Sequence, residues 1–143
     1  MFHQSSILNA HYHYVSSFFI KGEFGHAGLY VGDNQIIHVI GDGIIKEDIL
    51  TFLRADAAAV IRPKNQDLVP KAIENAYEQF SKHVQYDYDF NKIDNSQFYC
   101  TEFTDFCYGY IVRDGVAKDH PYIYPDDYLI PSDLFEIIWR KER

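Results

Sequence analysis

The sequence predicts an α+β fold in which a small antiparallel sheet or barrel packs against helices, one of them starting at a cysteine. Three observations carry this. Short apolar, β-branched runs broken by Gly, Asp and Asn turns fill the first part of the chain. The period then changes, with Ala72, Ile73, Ala76, Tyr77 and Phe80 recurring at helical spacing. Later, Asn95-Ser96 supplies an N-cap signal ahead of an apolar stripe that includes Cys107.

The elements follow in order. Residues 7–20 alternate irregularly and fit either a strand or a short helix with a loop. Residues 26–31 and 35–40 are apolar and flank Gly32-Asp33-Asn34, which reads as a β-hairpin. Gly41-Asp42-Gly43 makes a second turn before a strand near 44–47, and a helical turn fits 48–54. A further strand over 57–62 stops at Pro63, which cannot donate to a ladder. The helix from Asp67 to Val84 carries Pro70 in its first turn, where the missing N–H costs nothing. An aromatic and acidic loop, Tyr86 to Phe90, follows. Ser96 as cap then gives a helix over about 97–111, with Phe103, Phe106, Cys107, Tyr110 and Ile111 on its apolar stripe. A Pro- and Tyr-rich loop over 119–131 precedes a last apolar segment, Leu134 to Trp139.

With no repeat or linker, the 143 residues read as one domain, 1–143, and 47% hydrophobic residues are enough to build its core. The formal charge of -8 repels phosphate backbones, so nucleic acid is excluded as a partner, and no cluster of Lys or Arg invites an anionic membrane. No leader peptide or stretch long enough to span a bilayer is visible, which gives a cytoplasmic expectation, with export of a processed form left open. Cys100 and Cys107 would lie about 10 Å apart along one helix, too far for a disulfide.

The chemistry centres on two segments. Cys100 falls in the first turn of its helix, where unsatisfied N–H groups favour an anion, lower a thiol pKa and can line an oxyanion hole. A partly exposed, thiolate-rich Cys100 is therefore expected, while Cys107 packs in the core. A three-residue hairpin loop sets Gly28 opposite His38 and His26 opposite Ile40, so both histidines share a face with space between them. His38 would then hold the tautomer of a His26 base. A two-residue loop would put His38 on the other face. His3, His11, His13, His83 and His120 show no such partner pattern. His11 and His13 share a strand face if that segment is a strand, but no third ligand accompanies them, so no metal or organic cofactor is expected.

The segments His26-Ala27-Gly28-Leu29-Tyr30-Val31-Gly32 and Tyr99-Cys100-Thr101-Glu102 together resemble the permuted papain-like amidases, the YiiX/YebB-like branch of the NlpC-type cysteine peptidase superfamily. The likeness runs from about Ser5 to Ile130. His26 precedes Cys100, the reverse of papain, as a circular permutation of the same site would give. The resemblance implies Cys100 as nucleophile, His26 as general base and His38 as the third polar group of a Cys/His/His triad. Many relatives have Glu at that third position; the lecithin retinol acyltransferase-like enzymes have His. It also implies Tyr86 near the site as a substrate or oxyanion contact, with aromatic packing as the equal alternative. Glu102 reads either as a substrate or oxyanion contact or, preferably, as a carboxylate favoured in a first helical turn.

The leading expectation is a cysteine hydrolase cleaving peptide or peptidoglycan-type amides through a thioester. If Asp87, Asp89 and Asp94 rim the site, its substrate carries a free amino group. Lipid acyl hydrolysis or transfer by the same triad is the alternative, although no apolar anchor segment is seen. A non-catalytic binding domain on the same fold is the other.

Overall fold

The computed structural model describes residues 6–9, 25–54, 57–89, 97–130 and 134–141. Its strands are β1 (Ser6–Asn9), β2 (His26–Gly32), β3 (Gln35–Ile40), β4 (Gly43–Asp48), β5 (Ala58–Pro63), β6 (Gln85–Tyr86), β7 (Gln97–Phe98) and β8 (Phe135–Lys141). Its α-helices are α1 (Ile49–Leu53), α2 (Val69–Ser81) and α3 (Cys100–Cys107). Six strands form one antiparallel sheet in the order β4-β3-β2-β1-β5-β8, and β6 pairs with β7 in parallel.

Alternation along the strands divides the apolar residues between two faces. Ala27, Leu29, Ile37, Val39, Ala59 and Ile61 pack with Ala72 and Ala76 of α2 and with Cys100, Phe103 and Cys107 of α3. Tyr30, Ile36 and Val60 form a smaller cluster with Ile49 of α1. Burial on both faces explains why β2 and β3 read as near-continuous apolar runs rather than as alternating ones.

The first hairpin has the expected register by a different device. Leu29 faces Ile37 and Tyr30 faces Ile36, but the ladder then shifts, and Gly32 faces Gln35. The turn proper is Asp33-Asn34, and Val31, skipped by the ladder between Tyr30 and Gly32, is the extra residue of a bulge. Gly32, Asp33 and Asn34 have left-handed backbone, with φ of 93°, 53° and 61°, which Gly, Asp and Asn tolerate better than other residues do. Beyond the bulge the strands keep the pairing of a three-residue loop.

Other boundaries depart from expectation. The second long helix does not begin near residue 97: Gln97 and Phe98 pair with Gln85 and Tyr86 as strand, and α3 begins at Cys100. Asn95 and Ser96 lie outside the described residues. Tyr99 takes the N-cap position, and its backbone N–H donates to Glu102 Oε1 at 3.3 Å. The helix also stops short of residue 111. Asp105 accepts the N–H groups of Val112 (2.9 Å) and Arg113 (2.7 Å), closing the chain into a turn in which Gly109 and Tyr110 have positive φ. Helix α2 is trimmed to Val69–Ser81, preceded by a 3-10 turn over Gln66–Leu68 that Asn65 caps. The segment from 7 to 20 opens as β1; residues 10–24 lie outside the described residues. Strand β5 runs through Pro63, the last apolar segment is the edge strand β8, and a 3-10 turn, Pro125–Leu129, interrupts the expected loop. Among the described residues, no helix is long and apolar enough to cross a membrane.

Candidate active site

Helix α3 packs against β2 and β3, which sets Cys100 beside the start of β2. The thiol interacts with the backbone N–H groups of Ala27, Thr101 and Cys100 itself and with the Thr101 hydroxyl. Ala27 is the neighbour of His26.

The environment of the thiol reverses one expectation. Cys100 has no exposed surface, and burial pushes its thiol up to about 12 from an ordinary 9.0. The surrounding N–H groups and the Thr101 hydroxyl pull the other way, but they do not offset the lost hydration. Cys100 is therefore neither partly exposed nor thiolate-rich at rest. Cys107, on the same helix, is buried with its thiol raised well above the ordinary value, mainly by desolvation, as its core reading requires.

His26 and His38 are both fully buried, and His26 Nε2 lies 2.7 Å from His38 Nδ1. The rings meet edge to face, with centroids 4.9 Å apart. On its other side, His38 Nε2 lies 2.8 Å from Glu47 Oε1. Desolvation lowers the His38 pKa, and the Glu47 carboxylate works against that. Glu47 is a residue that reading the sequence missed. The signal was the second hairpin: His38 faces Ile45 on β4, and the two-residue period puts Glu47 on the same face one step along.

Tyr86 is buried on β6, its ring 4.9 Å from that of Tyr88. Glu102 is fully buried and spends one oxygen on the Tyr99 N–H, the task of a carboxylate in a first helical turn. The acidic loop is divided: Asp87 is buried and accepts the Asp89 N–H at 2.9 Å, Asp89 is exposed, and Asp94 lies outside the described residues. His120 has a partner after all, Asp127 Oδ2 at 3.1 Å. That carboxylate also takes the Tyr124 N–H at 2.8 Å, and so organises a turn.

The wall behind Cys100 is tied to the 119–130 segment. The Ile123 N–H donates to the Tyr99 hydroxyl at 3.1 Å, the Thr101 hydroxyl donates to the Ile123 carbonyl, and the Tyr128 hydroxyl reaches the Thr101 carbonyl at 3.0 Å.

A family model described as permuted papain-like amidase enzyme, YaeF/YiiX, C92 family, matches residues 3–127. The chain belongs to this family. This member of the permuted papain-like amidase family shares its fold with the crystal structure of the metalloprotein yiiX from Escherichia coli O157:H7, at a TM-score of 0.71 and 12% identity, over 98% of this chain and 97% of that one. No curated protein sequence matches it. Among the described residues of this amidase-family chain, no group of three or more His, Cys, Asp or Glu side chains could hold a metal ion. The 2.7 Å between the facing His26 and His38 nitrogens is a hydrogen-bond spacing. His11 and His13 lie outside the described residues.

Proposed function

We propose that this family member is a cysteine hydrolase that cleaves amide bonds of peptide or peptidoglycan type through a thioester on Cys100. One observation carries the reading: a helix starts at a thiol that touches the N–H of Ala27, the next residue after His26, whose ring pairs with that of His38.

With burial holding the thiol neutral, no thiolate–imidazolium pair stands ready. His26 instead takes the proton as the sulfur attacks the carbonyl carbon, the pattern of general-base rather than preformed-ion catalysis. The N–H groups of Cys100 and Ala27 supply donors for the oxyanion. The amine then leaves with the proton from His26, and a thioester remains on sulfur. Water attacks that thioester and gives a proton to His26. The carboxylic acid departs, and the thiol regains its proton. His38 orients His26 throughout. Because the thiol has no exposed surface, the protein must open around Cys100 for any acyl donor to reach it.

The test is intact-protein mass spectrometry after exposure to peptide amides, muropeptide-like amides and lipid esters. The expected result is an acyl adduct mapped to Cys100 from an amide donor. Cys100→Ala should abolish turnover with the fold intact, and His26→Ala should do nearly the same. His38→Ala should cost less, roughly 10- to 1,000-fold, because it orients rather than reacts. A chelator should leave turnover unchanged. Wild-type turnover in Cys100→Ala would end the thiol mechanism. An adduct formed only from lipid esters would transfer the reading to acyl-lipid chemistry.

A further inference from the structure

We propose that Glu47 is a positioning residue for the base, acting through His38 to fix which nitrogen of His26 carries the lone pair. The inference deepens the hydrolase reading and rests on His26 being its base.

His38 sits between two partners. Its Nδ1 lies 2.7 Å from His26 Nε2, and its Nε2 lies 2.8 Å from Glu47 Oε1. A neutral imidazole has one donor and one acceptor nitrogen, whereas an ionised carboxylate only accepts. Glu47 therefore selects the His38 tautomer with hydrogen on Nε2. The His38 Nδ1 is then a lone pair, which accepts from the N–H at His26 Nε2. That leaves the lone pair of His26 on Nδ1, the ring nitrogen not facing His38, which on the hydrolase reading takes the proton of the thiol.

Two buried histidines alone would not choose. The reverse arrangement, with His38 Nδ1 donating to His26 Nε2, preserves the same short contact and leaves His26 with hydrogen on Nδ1. In that form His26 cannot accept a thiol proton without first shifting its own. The carboxylate breaks the degeneracy from outside the pair, as outer partners of histidine ligands do at other sites. The burial pattern suits the task. His38 has no exposed surface, while the Glu47 side chain keeps 25% of its own, so the charge stays partly hydrated while its acceptor oxygen reaches a dry ring.

The geometry follows from the second hairpin. Pairing of His38 with Ile45, and of Ile36 with Glu47, leaves the carboxylate one two-residue step from the ring on the same face of β4, an edge strand of the sheet.

The experiment is nitrogen-15 NMR of the imidazole nitrogens in histidine-labelled protein at neutral pH, for wild type, Glu47→Leu and Glu47→Gln. Wild type should show both His26 and His38 protonated on Nε2. Glu47→Leu should lose this signature, with His26 turning to the Nδ1-protonated or a mixed form. Glu47→Gln should restore it, since the amide oxygen still accepts. Turnover should follow the tautomer, falling about 10- to 100-fold in Glu47→Leu and recovering largely in Glu47→Gln. Identical tautomers in wild type and Glu47→Leu would overturn the proposal. So would a wild type with hydrogen on His26 Nδ1. The nitrogen signals do not require a substrate, so failure of the hydrolase reading would show separately, as an absent adduct on Cys100.

Discussion

At the scale of single residues, the site is governed by what surrounds each reactive group. A helix start favours a thiolate, yet the Cys100 thiol is raised to about 12 because desolvation outweighs the N–H groups around it. Relative to a thiol at 9.0, that leaves about 1,000-fold less thiolate at neutral pH. Both cysteines should accordingly resist brief iodoacetamide treatment in the folded protein and label together once urea exposes them. Peptide mapping with and without denaturant checks this; rapid native labelling of Cys100 would show that the resting thiol is open and ionised. The residues of the proposed site, Cys100, His26 and His38, each stand in a distinctive local pattern and could be picked out of the sequence. The burial of Cys100 could not. The Tyr99–Ile123 and Thr101–Tyr128 contacts join residues more than 20 positions apart, and no local pattern announces them.

At the scale of elements, the β2–β3 turn sets the histidine contact. Gly32 has a φ of 93°, and a Cβ built there meets nothing within 4 Å. Gly32→Ala should therefore cost only the left-handed backbone strain, about 1–2 kcal/mol in denaturant unfolding, with turnover retained. Deleting Gly32 leaves Asp33-Asn34 as a two-residue turn with Val31 opposite Gln35 and Tyr30 still opposite Ile36, so the bulge is lost but the register stays. His38 should then keep the face it shares with His26, and turnover should survive the deletion. The hairpin was recoverable from sequence because Gly-Asp-Asn between apolar runs is a strong turn signal. That a helix starts at the cysteine was legible too, but its cap was not, because Phe98 is drawn into pairing with Tyr86 and a tyrosine stands at the cap, supported by Glu102 instead of its own side chain. Glu47 stayed hidden because its face depends on the register of a second turn.

The turn after α3 has its own pH signature. Burial pushes the Asp105 carboxyl from 3.8 up to about 7, against the N–H bonds from Val112 and Arg113 that lower it. Between about pH 4 and 7 the unfolded chain gives up this proton while the folded chain keeps it. The contribution of Asp105 to stability is thus present below about pH 4 and lost as pH rises through 7. Asp105→Asn should shrink the drop in unfolding free energy between pH 4.5 and 7.5, which denaturant titrations at both values would measure.

At the scale of the whole molecule, the halves of the proposed site differ in how far apart they lie along the chain. His26, His38 and Glu47 sit on consecutive strands of a local meander, β2-β3-β4, whereas Cys100 arrives from far downstream and β1 must insert between β2 and β5. Contacts between near neighbours in sequence close at low entropic cost, and distant ones close later. The base and its carboxylate should therefore assemble before the nucleophile reaches them. Pulse-labelled hydrogen exchange during refolding would then protect amides of residues 36–47 ahead of those of 100–107; simultaneous protection would count against it. A chain still emerging from the ribosome would hold its proposed proton acceptor already set, with no sulfur to use it on until Cys100 had followed and folded against it.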